Sequence, residues 1–280
     1  SNSEGTNYPT SGSVTCNVVI ADTNLLCNMV AGVGNDHGWV ITVGGQSTSK
    51  SSDRTAYTRP AITNIVGSAS STAGGTVITL TGTSFGPASH SEASATYGPS
   101  VEPNRYPISS CTVDSDTQMR CTTVPGKGKN LQWSVTVGGQ TPASAYTTKT
   151  TSYLPPAINT AVKTGGAGTL TTAGTDTVDI GGTNFGPTCS GCITATYGGS
   201  GGTDYPTTGT ITCDVVTAHT KIVCNTVVGV GANHGWIVTL ASQASAKSTA
   251  TVSYTPPAIT SLVKTGGAGT LTTAGTDTVD

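Results

Sequence analysis

Eight cysteines are the residues of this chain whose type and spacing most directly predict chemistry. Six of them form three pairs, each separated by nine or ten residues: Cys16 and Cys27, Cys111 and Cys121, Cys213 and Cys224. Each pair flanks two short β-prone runs, so a hairpin would place its Cα atoms about 4.5 Å apart, within disulfide range. Zinc is the alternative, but the pairs lack further His or Cys ligands at metal spacing. We therefore predict three disulfides and a secreted or cell-surface, extracellular location.

Cys189 and Cys192 have the Cys-x-x-Cys spacing of redox sites. A redox motif of this kind opens a helix in a thioredoxin-like unit, whereas this one lies between two β-prone segments and occurs in one repeat only. We predict a local structural disulfide.

Four histidines are the other candidate ligands or bases: His37, His90, His219 and His234. His37 and His234 hold the same position in two repeats, and the middle repeat has no His there. Asp36 precedes His37, but the sequence nominates no Ser or Cys nucleophile beside them. We predict a turn or packing role for His37 and His234, no catalytic residue and no enzyme activity.

Acidic residues recur in two copies of Gly-Thr-Asp-Thr-Val-Asp: Asp176, Asp179, Asp277 and Asp280. Such pairs are compatible with calcium, but the middle repeat has none. We predict a solvated strand face, no metal site and no cofactor.

Charge and hydropathy exclude further classes of function. The net charge is −2 and the 12 Lys and Arg residues are scattered, whereas nucleic-acid binding needs a clustered basic surface. No run of about 18 apolar residues occurs, so we predict no membrane span in this chain. Residues 1–4 lack the basic flank and apolar core of a signal peptide, so a signal is expected upstream.

Self-similarity with a period near 100 residues sets the architecture. Pro-Ala-Ile at 60–62 recurs at 156–158 and 257–259, and the Phe-Gly-Pro run at 81–87 recurs at 181–187. Each pattern ends in a strand that begins with a Trp: Trp39, Trp133 and Trp236. A period near 100 is too long for a helical solenoid unit and fits a β-sandwich.

The sequence within each repeat predicts strands and no helix. Residues 133–137 alternate apolar and polar side chains, and residues 39–43 and 236–240 follow the same pattern, which is typical of a half-buried strand. Residues 76–80 predict a second strand. The fold class predicted is all-β.

Residues 60–87, from Pro-Ala-Ile to Phe-Gly-Pro, resemble the opening of an IPT/TIG domain, an immunoglobulin-like fold. The later Cys pair, Gly-x-Gly, Trp strand and Gly-Gly-Gln, ending in Tyr-x-Pro-Pro, are similar to IPT/TIG repeats of large extracellular proteins of protists and algae. The resemblance covers essentially the whole chain. It implies tandem β-sandwich repeats of about 100 residues and leaves the function open, because such domains serve receptors, adhesins, enzyme appendages and fibres.

These patterns divide the chain into four segments. We expect the C-terminal part of a repeat at 1–58, complete repeats at 59–154 and 155–255, and the N-terminal part of another at 256–280. Aligned on the cysteines, the two partial segments lack the counterpart of residues 180–197. Either the chain is a window cut from a longer array, or the tail of one copy completes the head of the next by strand exchange.

Surface modification is predicted from Thr-rich and Pro-rich runs, since no Asn-x-Ser/Thr sequon occurs. The candidates for O-linked sugars are Thr147, Thr148, Thr150, Thr151, Ser152, Pro155, Pro156, Pro256 and Pro257. The alternative is that Thr serves only strand propensity.

The predicted function is structural: an extracellular, O-glycosylated fibre or cell-surface filament built from end-to-end repeats, with the Pro pairs stiffening the links between sandwiches. Its partners would be copies of itself and glycans, with no nucleic acid. One alternative is an adhesin or receptor ectodomain that binds a ligand through sandwich-end loops. Another is a non-catalytic appendage of a secreted carbohydrate enzyme.

Overall fold

The computed structural model describes residues 8, 14–67, 69–144, 146–199, 204–266, 269–271, 273, 275 and 277–279. This part of the chain contains 22 β-strands and no helix, which confirms the all-β fold class. Asp280 and residues 1–4 lie outside the described residues.

We call residues 14–58 the head segment, 59–154 the middle unit, 155–255 the third unit and 256–279 the tail segment. The head segment contains β1 (Cys16–Ile20), β2 (Asn24–Cys27), β3 (Thr42–Val43) and β4 (Gln46–Ser47). The middle unit contains β5 (Ala61–Val66), β6 (Ala69–Ser70), β7 (Val77–Thr83), β8 (Ala93–Gly98), β9 (Tyr106–Ile108), β10 (Thr112–Ser115), β11 (Gln118–Thr122), β12 (Leu131–Val137) and β13 (Thr150–Tyr153). The third unit contains β14 (Ala157–Lys163), β15 (Thr177–Thr183), β16 (Cys189–Gly198), β17 (Asp204–Tyr205), β18 (Ile211–Thr217), β19 (Lys221–Asn225), β20 (His234–Leu240), β21 (Gln243–Ala244) and β22 (Thr251–Val252).

The middle unit is a sandwich of two sheets. One has the order β10-β11-β7-β5 and the other β6-β13-β12-β8-β9. Side chains alternate between the two faces of a strand, and β12 shows the consequence: Trp133, Val135 and Val137 are buried, while the residues between them are half-buried. The predicted alternation over 133–137 therefore places one face of this strand in the core.

The third unit folds its strands into one continuous sheet around its own core. The order is β14-β15-β19-β18-β16-β20-β21, with β17 added to β16 and β22 to β20. The ten-residue strand β16 makes this possible, because it pairs with both β18 and β20. Cys189, the first residue of β16, lies opposite Val215 of β18. The pairing of β16 with β18 joins the strands β14, β15, β19 and β18 to the strands β16, β20 and β21 in one sheet.

The head segment consists of two small hairpins, β1–β2 and β3–β4. The strand predicted over 39–43 forms only at Thr42–Val43, so that prediction is wrong for residues 39–41. In the middle unit the equivalent strand β12 is held between β8 and β13, and the described head residues supply no such pair of neighbours. Val43 is consequently 68% exposed, against 1% for its counterpart Val137.

The tail segment repeats the sequence of β14 and β15 but forms no strand in its described residues; Lys264 and Val279 make an isolated bridge. Leu271 is 59% exposed, whereas its counterpart Leu170 in the third unit is fully buried. The difference follows from pairing, because Leu170 forms a bridge with Tyr254 and the described residues offer Leu271 no equivalent partner.

Candidate functional site

Three disulfides cross-link hairpins, as the cysteine spacing predicts. Cys16 pairs with Cys27 at a Cα separation of 4.0 Å, Cys111 with Cys121 at 4.5 Å, and Cys213 with Cys224 at 4.1 Å. In the first and last pairs the two cysteines are direct cross-strand partners. This short Cα separation is typical of non-hydrogen-bonded antiparallel pairs, so the hairpin register positions the thiols for bonding.

Cys189 and Cys192 form the fourth disulfide. Both lie within β16, and Gly191 between them adopts a φ of +61°. The Asp214 carboxylate on the adjacent strand accepts hydrogen bonds from the Ser190 hydroxyl and the Gly191 amide, at 2.9 and 2.7 Å. The pair therefore lies in a strand, where the residues between the two cysteines are hydrogen-bonded to the adjacent strand, and not at the start of a helix.

Two buried tyrosines form a hydrogen-bonded pair at one end of each sandwich. In the middle unit the Tyr97 and Tyr153 hydroxyls are 2.6 Å apart, and both engage the backbone of Val124. Tyr97 also stacks on Trp133 with a ring-centroid distance of 4.5 Å. Burial and the hydrogen bond to Tyr97 raise the pKa of Tyr153 far above its ordinary value, so the pair stays neutral and structural.

The third unit repeats this arrangement with Tyr197, Tyr254 and Trp236. The two hydroxyls are 2.5 Å apart, and Tyr254 donates to the Val227 carbonyl at 2.6 Å. Burial, followed by the hydrogen bond to Tyr197, raises the pKa of Tyr254. The middle unit and the third unit therefore share this arrangement of two tyrosines and a tryptophan.

The histidines pack against the backbone. His37 and His234 each place Nε2 at 3.1 Å from a carbonyl oxygen, that of Val33 and Val230 respectively. His234 is 2% exposed, with its ring edge-on to Tyr254 at 5.5 Å. Both are buried side chains that pack against the backbone, which agrees with the packing role predicted from the sequence.

The remaining histidines also have protein partners. His90 Nε2 lies 2.7 Å from the Phe85 carbonyl oxygen, and His219 Nδ1 lies 2.9 Å from Thr72 Oγ1. Among the described residues, no group of three or more His, Cys, Asp or Glu side chains is placed to hold a metal ion.

The paired acids lie in ion pairs. Asp176 contacts Lys163 at 3.0 Å, and Asp179 contacts Lys221 at 2.8 Å. Hydrogen bonds from the Thr171 amide and then Lys163 lower the pKa of Asp176, and those from Lys221 and Thr164 lower that of Asp179. Each carboxylate is thus engaged by a neighbouring lysine on its own sheet.

One hydrogen bond is repeated where successive segments meet. Gln140 Nε2 donates to the Tyr57 carbonyl at 3.2 Å, and Gln243 Nε2 donates to the Tyr153 carbonyl at 2.8 Å. Each glutamine belongs to the segment that follows its acceptor tyrosine. We call this contact the glutamine clasp.

Both partners of the clasp are held by the same local structure at each joint. The two residues before each glutamine have positive φ: 55° and 74° at Gly138 and Gly139, 46° and 62° at Ala241 and Ser242. Positive φ at both central positions is typical of a tight hairpin turn. The acceptor tyrosine is fixed by its own amide, which donates to the second Gly of a Gly-x-Gly run at 2.9 Å in each case.

The central residue of Gly-x-Gly forms the second part of each joint. At the first joint Val33 is 3% exposed and belongs to the core of the middle unit. It lies over Gly86, where an added Cβ would come within 2.1 Å of Val33 Cγ1. At the second joint Lys127 takes this place against Gly186, and burial lowers the pKa of Lys127.

The second joint has additional polar contacts. The Thr72 amide donates to Asn184 Oδ1 at 3.3 Å, while the Thr72 hydroxyl meets His219. At the first joint, a cavity of about 120 Å³ lies between Val33, Tyr57, Val137 and Gln140.

Sequence reasoning did not single out the clasp residues. The signal was present, because Gly-x-Gly recurs in all three repeats and Gln recurs at the clasp position, after Gly-Gly in two repeats and after Ala-Ser in the third. What the sequence alone did not reveal is that the two runs meet across the joint.

The candidate sugar positions differ in accessibility. Thr151 is 2% exposed and its hydroxyl accepts a hydrogen bond from Trp133 Nε1 at 2.9 Å, and Pro156 is buried. The geometry therefore argues against these two positions in the folded unit. Thr147 and Ser152 are half-buried and accept backbone hydrogen bonds.

The other candidates lie nearer to solvent. Thr150 is half-buried, and four positions are exposed: Thr148, Pro155, Pro256 and Pro257. Modification at these positions remains a prediction.

In the described ranges, no helix has the length and apolar character needed to cross a membrane.

No curated protein matches this chain significantly. Among solved structures, SGBP-B from a xyloglucan utilization locus in Bacteroides uniformis is 17% identical over 66% of this chain and 47% of its own, with a TM-score of 0.26. The plexin A4 extracellular region is 15% identical over 80% of this chain and 19% of its own, with a TM-score of 0.29. Chicken CNTN1 FN1–FN3 domains are 11% identical over 75% and 74%, with a TM-score of 0.21.

The chain spans about half the length of the first of these structures and about a fifth of the second. At such TM-scores the likenesses carry no argument about fold or function.

The family model of the IPT/TIG domain matches residues 60–153. This range covers almost the whole middle unit, including its two sheets and their core. The resemblance predicted from residues 60–87 is confirmed for this unit. The middle unit of this chain is an IPT/TIG domain with an immunoglobulin-like β-sandwich fold.

Proposed function

We propose that this chain is a structural protein of an extracellular fibre or cell-surface filament, built from end-to-end TIG repeats, carrying O-linked sugars and completed by strand exchange between copies. The observation that carries the proposal is the glutamine clasp, which joins successive segments twice in the same way. A head-to-tail contact of this kind leaves a donor at one end and an acceptor at the other, so it extends into a filament when its rotation does not close a ring.

The use of the sandwich-end loops supports a rod over a ligand-binding ectodomain. In an adhesin these loops would be free for a ligand. Here the loop of Val33 and the loop of Gly86 pack against each other at the first joint, and those of Lys127 and Gly186 do so at the second. Loops committed to joints are unavailable to other partners.

Exposed apolar side chains support strand exchange. In the third unit β15 pairs with β19, and Val178 lies opposite Cys224. The tail counterpart of Val178 is Val279, which is 51% exposed, and the head counterpart of Cys224 is Cys27 at the end of β2. Pairing the tail of one copy with β2 of another would reproduce the register of the third unit.

Composition supports an extracellular, sugar-bearing surface. The chain has four disulfides and only 9% charged residues. Disulfides persist in oxidising compartments, and sheets with few charges need some other protection of their edges. Sugars at exposed positions such as Thr148 would provide it.

Electron microscopy of the native protein over a hundredfold range of concentration tests the assembly. The proposal predicts filaments, whereas discrete particles at every concentration that bind a cell surface would favour the ectodomain alternative. Peptide mass spectrometry tests the sugars. The peptide that contains Thr148 should carry hexose or pentose increments that β-elimination removes, and only unmodified peptide would contradict that part of the proposal.

A further inference from the structure

The head segment and the third unit offer the two halves of one more glutamine clasp. Gln46 occupies the position of Gln140 and Gln243, and Tyr254 occupies that of Tyr57 and Tyr153. If a third clasp forms between copies, the local structure at both ends should match that of the two internal joints.

The donor end matches. Gly44 and Gly45 have φ values of 58° and 81°, so the turn before Gln46 has the form seen at both internal joints. Gln140 is 7% exposed in its clasp and Gln243 is half-buried, but Gln46 is exposed. Within the described residues, the Gln46 side chain makes no hydrogen bond.

The acceptor end matches as well. The Tyr254 amide donates to the Gly231 carbonyl at 2.9 Å, as Tyr57 and Tyr153 do to Gly34 and Gly128. The same backbone hydrogen bond therefore positions the carbonyl of Tyr254. In the described part of the chain, no side-chain donor reaches it.

The apolar part of the joint shows the same contrast. Val230, the central residue of its Gly-x-Gly run, is 67% exposed, whereas Val33 at the first joint is 3% exposed. Val43 precedes the clasp turn of the head segment and is 68% exposed, whereas Val137 is 1% exposed. A contact with the geometry of the first joint would cover both valines.

We infer that a second copy of this chain docks end to end: Gln46 of one copy donates its amide to the Tyr254 carbonyl of the other, with Val230 packed beside Val43. This contact rests on the proposed function and specifies its interface. It is independent of where sugars are attached. The partner is fixed by the two internal joints, which show the same donor and acceptor meeting in one geometry, and by the first joint, where the central residue is also a valine.

Photo-crosslinking of the full chain tests the contact. p-Benzoylphenylalanine at position 46 should crosslink to residues around Tyr254 of another copy, identified in a mixture of unlabelled and ¹⁵N-labelled protein. The matched control is the same group at position 140, which should crosslink near Tyr57 within one chain. The control also reports that the joints have folded.

A second measurement gives a magnitude. Sedimentation equilibrium should show that Gln46→Ala weakens self-association by about fivefold, the value of one ordinary hydrogen bond. Gln118→Ala, which changes an exposed glutamine on β11, should leave it unchanged. The inferred contact is overturned if position 140 crosslinks as expected while copies associate through other residues, an outcome that leaves the filament standing. Failure to associate at any concentration would overturn both.

Discussion

The indole N–H of Trp236 lacks the partner that the other two tryptophans have, and the reason is one substitution between repeats. Trp39 donates to Thr55 at 3.1 Å and Trp133 donates to Thr151 at 2.9 Å. The corresponding residue in the third unit is Val252. Trp236 Nε1 is buried without a hydrogen-bond partner among the described residues.

Replacing Val252 with Thr should therefore stabilise the third unit. A buried donor left unsatisfied costs about 1–3 kcal/mol, and the incoming hydroxyl has its own desolvation cost. Because Val and Thr have nearly the same shape, we expect a net gain of about 1 kcal/mol. For a unit of about 100 residues this corresponds to a rise in Tm of roughly 4–8 °C.

Calorimetry of the full chain, with Thr151→Val as the matched reverse change, measures the effect. Thr151→Val should lower the stability of the middle unit by about 1–3 kcal/mol, because it leaves Trp133 Nε1 unpaired. In NMR spectra the Trp236 indole proton should exchange more slowly in Val252→Thr than in the parent chain. Destabilisation by Val252→Thr together with a neutral Thr151→Val would refute the reasoning.

Three further predictions concern the disulfides, the acids and the first joint. Replacing Cys111 and Cys121 with Ser should destabilise the middle unit by about 3 kcal/mol in denaturant titration, since the bond closes a loop of roughly ten residues; the same change at Cys189 and Cys192, which close a much shorter loop, should cost less. Because the folded pKa of Asp179 is lowered, its contribution to stability is present above pH ~4 and is lost as pH falls through the folded pKa. Asp179→Asn should therefore reduce the loss of unfolding free energy at acid pH, measured by unfolding at a series of pH values. An unchanged dependence of stability on pH would contradict the assignment. Gly86→Ala should loosen the first joint, seen as a broader interdomain distance distribution in small-angle scattering, because its Cβ would meet Val33. Gly75→Ala has a similar positive φ and nothing within 4 Å of the added Cβ, so it should keep the joint intact, and equal behaviour of the two variants would count against the packing described.

The sequence predicted the fold class and the hairpin cysteines because both are local or periodic. Alternation along residues 133–137 reports which face of a strand is buried, and a spacing of ten residues around a turn brings Cys111 and Cys121 together. The same reasoning failed at residues 39–41, since a strand also needs neighbours. The described residues supply backbone partners on one side only, where the Ser51 and Thr48 amides donate to the Trp39 and Ile41 carbonyls, and no local pattern reveals that the second neighbour is missing.

The joints could not be predicted from local sequence patterns either, because they are contacts between residues that are distant in the sequence. Gln140 and Tyr57 are 83 positions apart, and their contact depends on how two folded segments abut. The sequence predicted stiffness from the Pro pairs, whereas the described contacts come from Gln140, Val33 and Gly86. Burial of Thr151 likewise depends on its hydrogen bond with Trp133, which a Thr-rich composition does not reveal.

A density map of the native assembly at side-chain resolution tests the end-to-end account most directly. The account predicts that every pair of adjacent sandwiches meets through a glutamine side chain and the carbonyl of the preceding tyrosine, including Gln46 of one copy and Tyr254 of the next. A map in which neighbouring copies instead meet along open sheet edges, with Gln46 and Val230 exposed to solvent, would contradict it.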